Sequence, residues 1–285
     1  MDTSLFETIL NKAAADTRAR IIGDRRLGLE PHEETLTQNL VSFISRSVHE
    51  LELPVAMVEI DRRSESRLYG ADIALWIRGR SGGLMGLHLQ AKRQYLDDTY
   101  HGIGYVPANG VKQIDRLIGG AQASGAGAGY VFYNGLRGDQ PTGSACCIAD
   151  YSPTRNGITV ATASDVKEAA GEEAVTPRQE VEEFCTPVAC LARCVKATSG
   201  AEDDDDPAMA LASWWAVREG SAPVDLLDVS AAPSYLEIPL RQLDIPFEVD
   251  ALNRERPAWD ADERVLGLME SPTFSQVTLI DAQGA

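Results

Sequence analysis

The chain has 285 residues, with 26 lysines and arginines against 43 aspartates and glutamates, a formal net charge of −17. That length suits one large domain, or a core domain with an extension. No run of about eighteen apolar residues occurs and the first residues show no basic-then-apolar leader, which argues against a membrane span or a secretory signal and points to the cytoplasm.

Glu33 to Leu51 reads as a helix beginning after Pro31, with Leu36, Leu40, Phe43, Ile44, Val48 and Leu51 in one apolar stripe. Val55 to Ile60 follows as a short strand. Two further strands, Tyr69 to Ile77 and Gly86 to Arg93, flank a glycine-rich turn at Arg78-Gly79-Arg80-Ser81-Gly82-Gly83. Helical spacing of Val111, Ile114, Leu117, Ile118 and Ala121 predicts a helix over 111–123. Tyr130-Val131-Phe132-Tyr133 is a buried strand, and Ala145–Ala149 and Ile158–Ala161 are further strand candidates. The order implies an α/β fold, a mixed central sheet flanked by helices, within residues 1–165. Residues 166–285 read as an acidic, helical or irregular C-terminal extension. In it, Arg178 to Lys196 is a helix broken near Thr186-Pro187, Glu202 to Pro207 a solvated acidic linker, Ala208 to Val217 a short helix, and Gln276 to Ile280 a late strand.

Five cysteines, Cys146, Cys147, Cys185, Cys190 and Cys194, are an odd and unevenly spaced set, unlike a disulfide framework. Cys185, Cys190 and Cys194 offer zinc three thiolates without an evident fourth ligand, so packing of buried thiols is the favoured reading. Charge is unevenly spread. Residues 161–285 hold 25 acidic and 9 basic side chains, whereas residues 61–120 hold 9 basic and 6 acidic. A polyanion partner therefore fits the middle of the chain, and the acidic half suits a partner protein or a homodimer contact.

The second of the paired strands alternates. His88, Gln90 and Lys92 take one face, and Leu87, Leu89 and Ala91 the other. Asp72 on the first strand is thereby offered beside Gln90 and Lys92. Hydrolysis of a phosphodiester needs a hard cation, Mg2+ or Mn2+, held by oxygen ligands, and a group to orient or activate water. Asp72 is the proposed ligand, Gln90 adds an amide oxygen, and Lys92 acts on the nucleophile and the developing charge. A further carboxylate comes from the first helix. Glu33 shares the register of Leu36, Thr37 and Leu40, whereas Glu34 is turned by about 100°. Glu33 is preferred as the ligand. The plain alternative is an acidic first turn that complements the helix dipole. His88, Arg93, Gln113 and Arg116 are candidate substrate contacts, although a lone strand histidine is more often structural.

Asp72 in Gly70-Ala71-Asp72, then Gln90-Ala91-Lys92, with Glu33 or Glu34 ahead of them, resembles the PD-(D/E)xK nuclease superfamily over about residues 30–150. The Gly-Ala-Asp and Gln-Ala-Lys wording is similar to that of an uncharacterised bacterial family within it. Ala71 stands where that superfamily has proline, and Gln90 where it has an acid. The resemblance implies a restriction-endonuclease-like core and a metal-dependent endonuclease, with DNA the favoured substrate and restriction or phage defence as its context. The alternatives are a catalytically inactive module of the same fold that binds nucleic acid or protein, and an interaction protein working through its acidic half.

Overall fold

The computed structural model describes residues 3–60, 70–106, 110–135, 155–170, 175–192, 206–219 and 226–228, all within one unit, Met1–Phe247. Six strands form the central sheet: β1 (Val55–Glu59), β2 (Ile73–Arg78), β3 (Leu84–Arg93), β5 (Gly127–Tyr133), β6 (Ile158–Thr162) and β8 (Thr186–Pro187), in that spatial order. Only the β3–β5 pair is parallel; every other neighbour is antiparallel. The sheet is therefore mixed, as the sequence implies. β4 (Thr99–His101) and β7 (Val175–Pro177) form a separate antiparallel pair.

Both faces of the sheet are covered, so its central strands are apolar on both sides. Leu87, Leu89 and Ala91 of β3 pack with α1 (Thr3–Arg26), α2 (Glu33–Glu50) and α6 (Pro207–Glu219). The opposite face, with Ala74, Trp76, Tyr130 and Phe132, packs under α3 (Gln113–Ala123), α4 (Ala163–Ala170) and α5 (Arg178–Glu182). The period-two alternation in β3 thus divides the two cores. Trp76 lies opposite Gly86, and a Cβ built on Gly86 would fall 2.6 Å from the indole. That position accepts only glycine without repacking.

Several elements differ from the sequence reading. The long helix α1 was not among the expected elements, although Phe6, Ile9, Leu10, Ala13, Ala14 and Ile21 form a buried stripe along it. Small alanines dilute that stripe, which weakens its apolar signal. The expected helix from Arg178 to Lys196 is only five residues, Arg178–Glu182, followed by β8 and a 3-10 turn, Val188–Leu191. Thr186 and Pro187 are drawn onto the sheet edge beside Val160 and Thr159, where a proline's missing N–H is tolerated. The strand candidates at 145–149 and 276–280 lie outside the described residues, as do residues 202–205 and Cys194. Cys185 and Cys190 are buried thiols.

The described residues beyond 165 belong to this unit. β8 supplies a sheet edge, α6 packs on the β2–β3 side, and Leu227 exchanges backbone bonds of 2.7 and 2.8 Å with Leu84. Asp206, read as the end of a solvated acidic run, is buried. It caps α6, accepting from Ala208 N at 2.9 Å and Met209 N at 3.3 Å, while its other oxygen accepts from Arg80 N at 2.7 Å in the β2–β3 turn. Pro207 takes the first helical position, where its lack of a donor costs nothing. One carboxylate therefore ties α6 to the turn. Asp206→Ala is expected to destabilise the protein by about 2 kcal/mol, read from the urea midpoint, with Asp206→Asn recovering only part. Equal stability of the alanine variant and the wild type would refute that tie.

Candidate functional site

β3 is longer than its antiparallel neighbour. β2 pairs with residues 84–89 and then ends, and Asp72 N adds one more bond to Leu89 O at 2.9 Å. On its other edge β3 stays paired with β5 as far as Arg93. The N–H groups of Ala91 and Arg93 therefore point to an edge that has lost its strand, and buried backbone donors need acceptors. Two carboxylates supply them. Asp72 Oδ2 accepts from Ala91 N at 2.7 Å, and Glu33 Oε2 accepts from Arg93 N at 2.9 Å. Alternate N–H groups on one strand edge lie roughly 7 Å apart, which sets the two acids side by side along the overhang.

Glu33 opens α2, a favourable place for a carboxylate beside the helix dipole. Thr37, one turn on, shares a 3.0 Å hydrogen bond with the Tyr133 hydroxyl and fixes that turn against β5. Glu34 is exposed, so the two adjacent acids have different surroundings, with Glu33 the one turned to the sheet. Lys92 is 6 % exposed, with its Nζ 3.6 Å from Glu33 Oε1. A buried ammonium needs such a partner to offset its desolvation.

Asp72 and Gln90 face each other across the strands. Gln90 Nε2 donates to Asp72 Oδ2 in a short contact, and Gln90 Oε1 accepts from Gln113 Nε2 at 2.9 Å. A continuous chain of donors thus runs from α3 through Gln90 to Asp72. Gly70 allows it. Its φ is +63°, and a Cβ there would fall 2.6 Å from Leu117 N in α3, so the Asp72 turn and α3 meet backbone to backbone. Arg116 lies in the first turns of α3, half-buried, on the same side as Gln113.

The other expected contacts separate. Arg93 projects away from Lys92, pairs with Glu30 at 2.7 Å and lies 3.9 Å over the Tyr95 ring. Its charge is already matched. His88 is fully buried, edge-on to Trp76 at 6.5 Å. Desolvation lowers its pKa to about 4, so at neutral pH it brings no charge to a phosphate. Tyr130 was missed. It lies opposite Gln90 on β5, buried, with its hydroxyl unpaired among the described residues. Burial and the nearby Asp72 and Asp115 carboxylates push its pKa up. Its only sequence signal is a tyrosine within an apolar strand.

Chemically, the overhang offers hard oxygen donors in Asp72, Glu33 and the Gln90 amide, beside one amine. Among the described residues no group of three or more His, Cys, Asp and Glu forms a metal cluster, so any cation here would rely on the two acids with amide, carbonyl or substrate oxygens. No helix among the described residues is long and apolar enough to cross a membrane.

Fold and site together define an α/β protein in which two carboxylates, two glutamines and a buried lysine gather at the end of one overhanging strand of a mixed sheet. The chain belongs to the DUF6615 family, a family of unknown function, whose model matches residues 6–283. No curated protein matches it.

The buried histidine yields a pH test. Its folded pKa is depressed below the unfolded value, so its contribution to stability is complete above about pH 6.5 and is lost as pH falls toward about 4, by roughly 3 kcal/mol. His88→Gln is expected to lower stability at pH 7 yet flatten the decline between pH 6.5 and 4 in urea titrations. An unchanged slope would refute the assignment.

Proposed function

We propose that this chain is a metal-dependent nuclease of the PD-(D/E)xK type, hydrolysing phosphodiester bonds of nucleic acid, with DNA the favoured substrate. The observation that carries the reading is the convergence at one strand end of Asp72, Glu33 and the buried Lys92, which come from three separate elements. The sheet order and the helices on both faces are compatible with a restriction-endonuclease-like core.

In this reading Asp72 and Glu33 would hold a divalent cation, with the Ala91 carbonyl or the Gln90 amide oxygen completing the donor set. Such a cation supplies charge neutralisation at the phosphate and acidifies the attacking water. Lys92 places its ammonium beside Glu33, where it stabilises charge that develops on the phosphate and orients the nucleophile. Gln90 fixes the Asp72 carboxylate through its amide N–H, and Gln113 holds that amide in turn. Neutral Gln90 gives the site one negative charge fewer than a carboxylate would, which favours approach of a polyanion while weakening cation affinity.

One observation favours a second reading. Both polar ends of the Gln90 side chain are held by protein partners, which leaves a single lone pair of its oxygen for a cation. A binding module of the same fold, without hydrolysis, accommodates that closed chain as it stands.

The two readings separate on cleavage of plasmid and linear DNA at low salt with Mg2+ or Mn2+. The nuclease reading expects metal-dependent cutting that falls by at least about 100-fold in Asp72→Ala and in Lys92→Ala. Glu33→Gln is expected to cost more than Glu34→Gln. Binding without cutting, under both metals, would put the binding module in its place.

A further inference from the structure

Large apolar side chains left in solvent are ordinary when scattered and informative when grouped. Eight are exposed among the described residues, and four of them, Leu96 at 64 %, Tyr105 at 54 %, Val106 at 49 % and Val111 at 46 %, fall in the single stretch that joins β3 to α3. Its ends adjoin two residues of the candidate site, Lys92 in β3 and Gln113 in α3. The backbone leading to Tyr105 is held. Ile103 is buried in the core under α3, Tyr105 N reaches Gly102 O at 3.4 Å, and Gln113 N donates to Tyr105 O at 3.2 Å. Gly102 stands against the lysine, since a Cβ built there would lie 3.8 Å from Lys92 Nζ. An aromatic ring is thus left in water on a loop whose backbone bonds Gln113 and passes near Lys92.

We infer that Tyr105 is a base-stacking residue, and that the substrate presents unpaired bases: a single strand, or a single-stranded stretch beside the scissile phosphate. This rests on the nuclease reading of the adjoining site. The chemistry selects the occupant. Phosphates and sugars of a polynucleotide seek cations and donors, so an apolar rim has nothing to offer them. The π-faces of the bases are the apolar part of the same molecule, and in a duplex they are already stacked on one another. Only an unpaired base brings a free face to the ring, and that stacking is tolerant of sequence. A tyrosine on a loop with fixed backbone binds at low entropic cost, because its two side-chain torsions alone need ordering. The sequence from 61 to 120 is itself mildly basic, with 9 basic and 6 acidic residues. Tyr105 therefore sets substrate preference, while Asp72 and Lys92 act at the phosphate.

The test is fluorescence anisotropy with a labelled short DNA oligonucleotide, single-stranded and as its duplex, in calcium and in chelator, using wild type, Tyr105→Phe and Tyr105→Ala. The ring is exposed, so all three proteins are expected to melt alike. Tyr105→Ala should lose about tenfold in affinity for the single strand, with Tyr105→Phe within about twofold of wild type and duplex binding equal in all three. Single-strand binding unchanged in Tyr105→Ala, equal losses on single strand and duplex, or no binding by wild type would each overturn the inference. A shift of Tyr105→Ala from dimer to monomer with unchanged single-strand affinity would also overturn it, by giving the rim to a second copy of the chain. Cleavage by wild type and Asp72→Ala in Mg2+ or Mn2+, run in parallel, keeps the two questions apart. Tyr105-dependent binding without cleavage would sink the nuclease and leave the stacking residue standing, and cleavage with Tyr105-independent binding would do the reverse.

Discussion

The mismatch in length between β2 and β3 governs this structure. A strand that outruns its neighbour leaves N–H groups facing no acceptor, and the energetic penalty for burying them is on the order of 1–3 kcal/mol each. Here two carboxylates take the places of the missing strand, Asp72 at Ala91 and Glu33 at Arg93. The same two bonds that complete the sheet therefore bring acids from the β2 approach and from α2 into one row. The side chains that complete the sheet edge are the same ones the proposed chemistry would use. That coincidence is why sequence patterns alone leave the plain reading open for each acid.

Electrostatics at the overhang follow from the same arrangement. Lys92 is buried and needs Glu33. Glu33 in turn takes Arg93 N at the end of β3 and the Lys92 ammonium as its partners. Asp72 receives two donors on one oxygen, from Gln90 and from Ala91. Gln90 can donate to Asp72 because Gln113 satisfies its oxygen. Replacing Gln90 with a carboxylate would set two acids face to face and reverse the sign of that contact. The glutamine is thus suited to a site that holds its geometry in the absence of a cation. Gly70 contributes at the backbone level, since any side chain there would push α3, and Gln113 with it, away from the Asp72 turn.

Much of the sheet was legible in the sequence because its signals are local. β1, β2, β3, β5 and β6 are apolar runs between breakers, and the alternation along β3 assigned His88, Gln90 and Lys92 to one face. The preference for Glu33 over Glu34 followed from helical register, and the structure turns Glu33 to the sheet while leaving Glu34 exposed. Local signals failed where partners decide. The alanines of α1 read as weak until a sheet face is there to receive them. Thr186-Pro187 is an edge strand only because β6 is beside it. Asp206 looks like one more surface acid until the β2–β3 turn closes on it.

The side chains of the candidate site divide in the same way. Strand periodicity in the sequence puts Gln90 and Lys92 on one face of β3, and Asp72, one residue ahead of β2, meets Gln90 there, while Lys92 pairs with Glu33. Burial and partnership were decided only by tertiary structure. His88 became a neutral core residue against Trp76, and Arg93 was matched by Glu30 and Tyr95. Gln113 reached Gln90 from a helix 23 residues on, and Tyr130 entered opposite it from a parallel strand. Charge and hydrogen-bonding capacity are written in each residue. Whether they are spent on the protein or kept for a ligand depends on which distant segments come to lie against it.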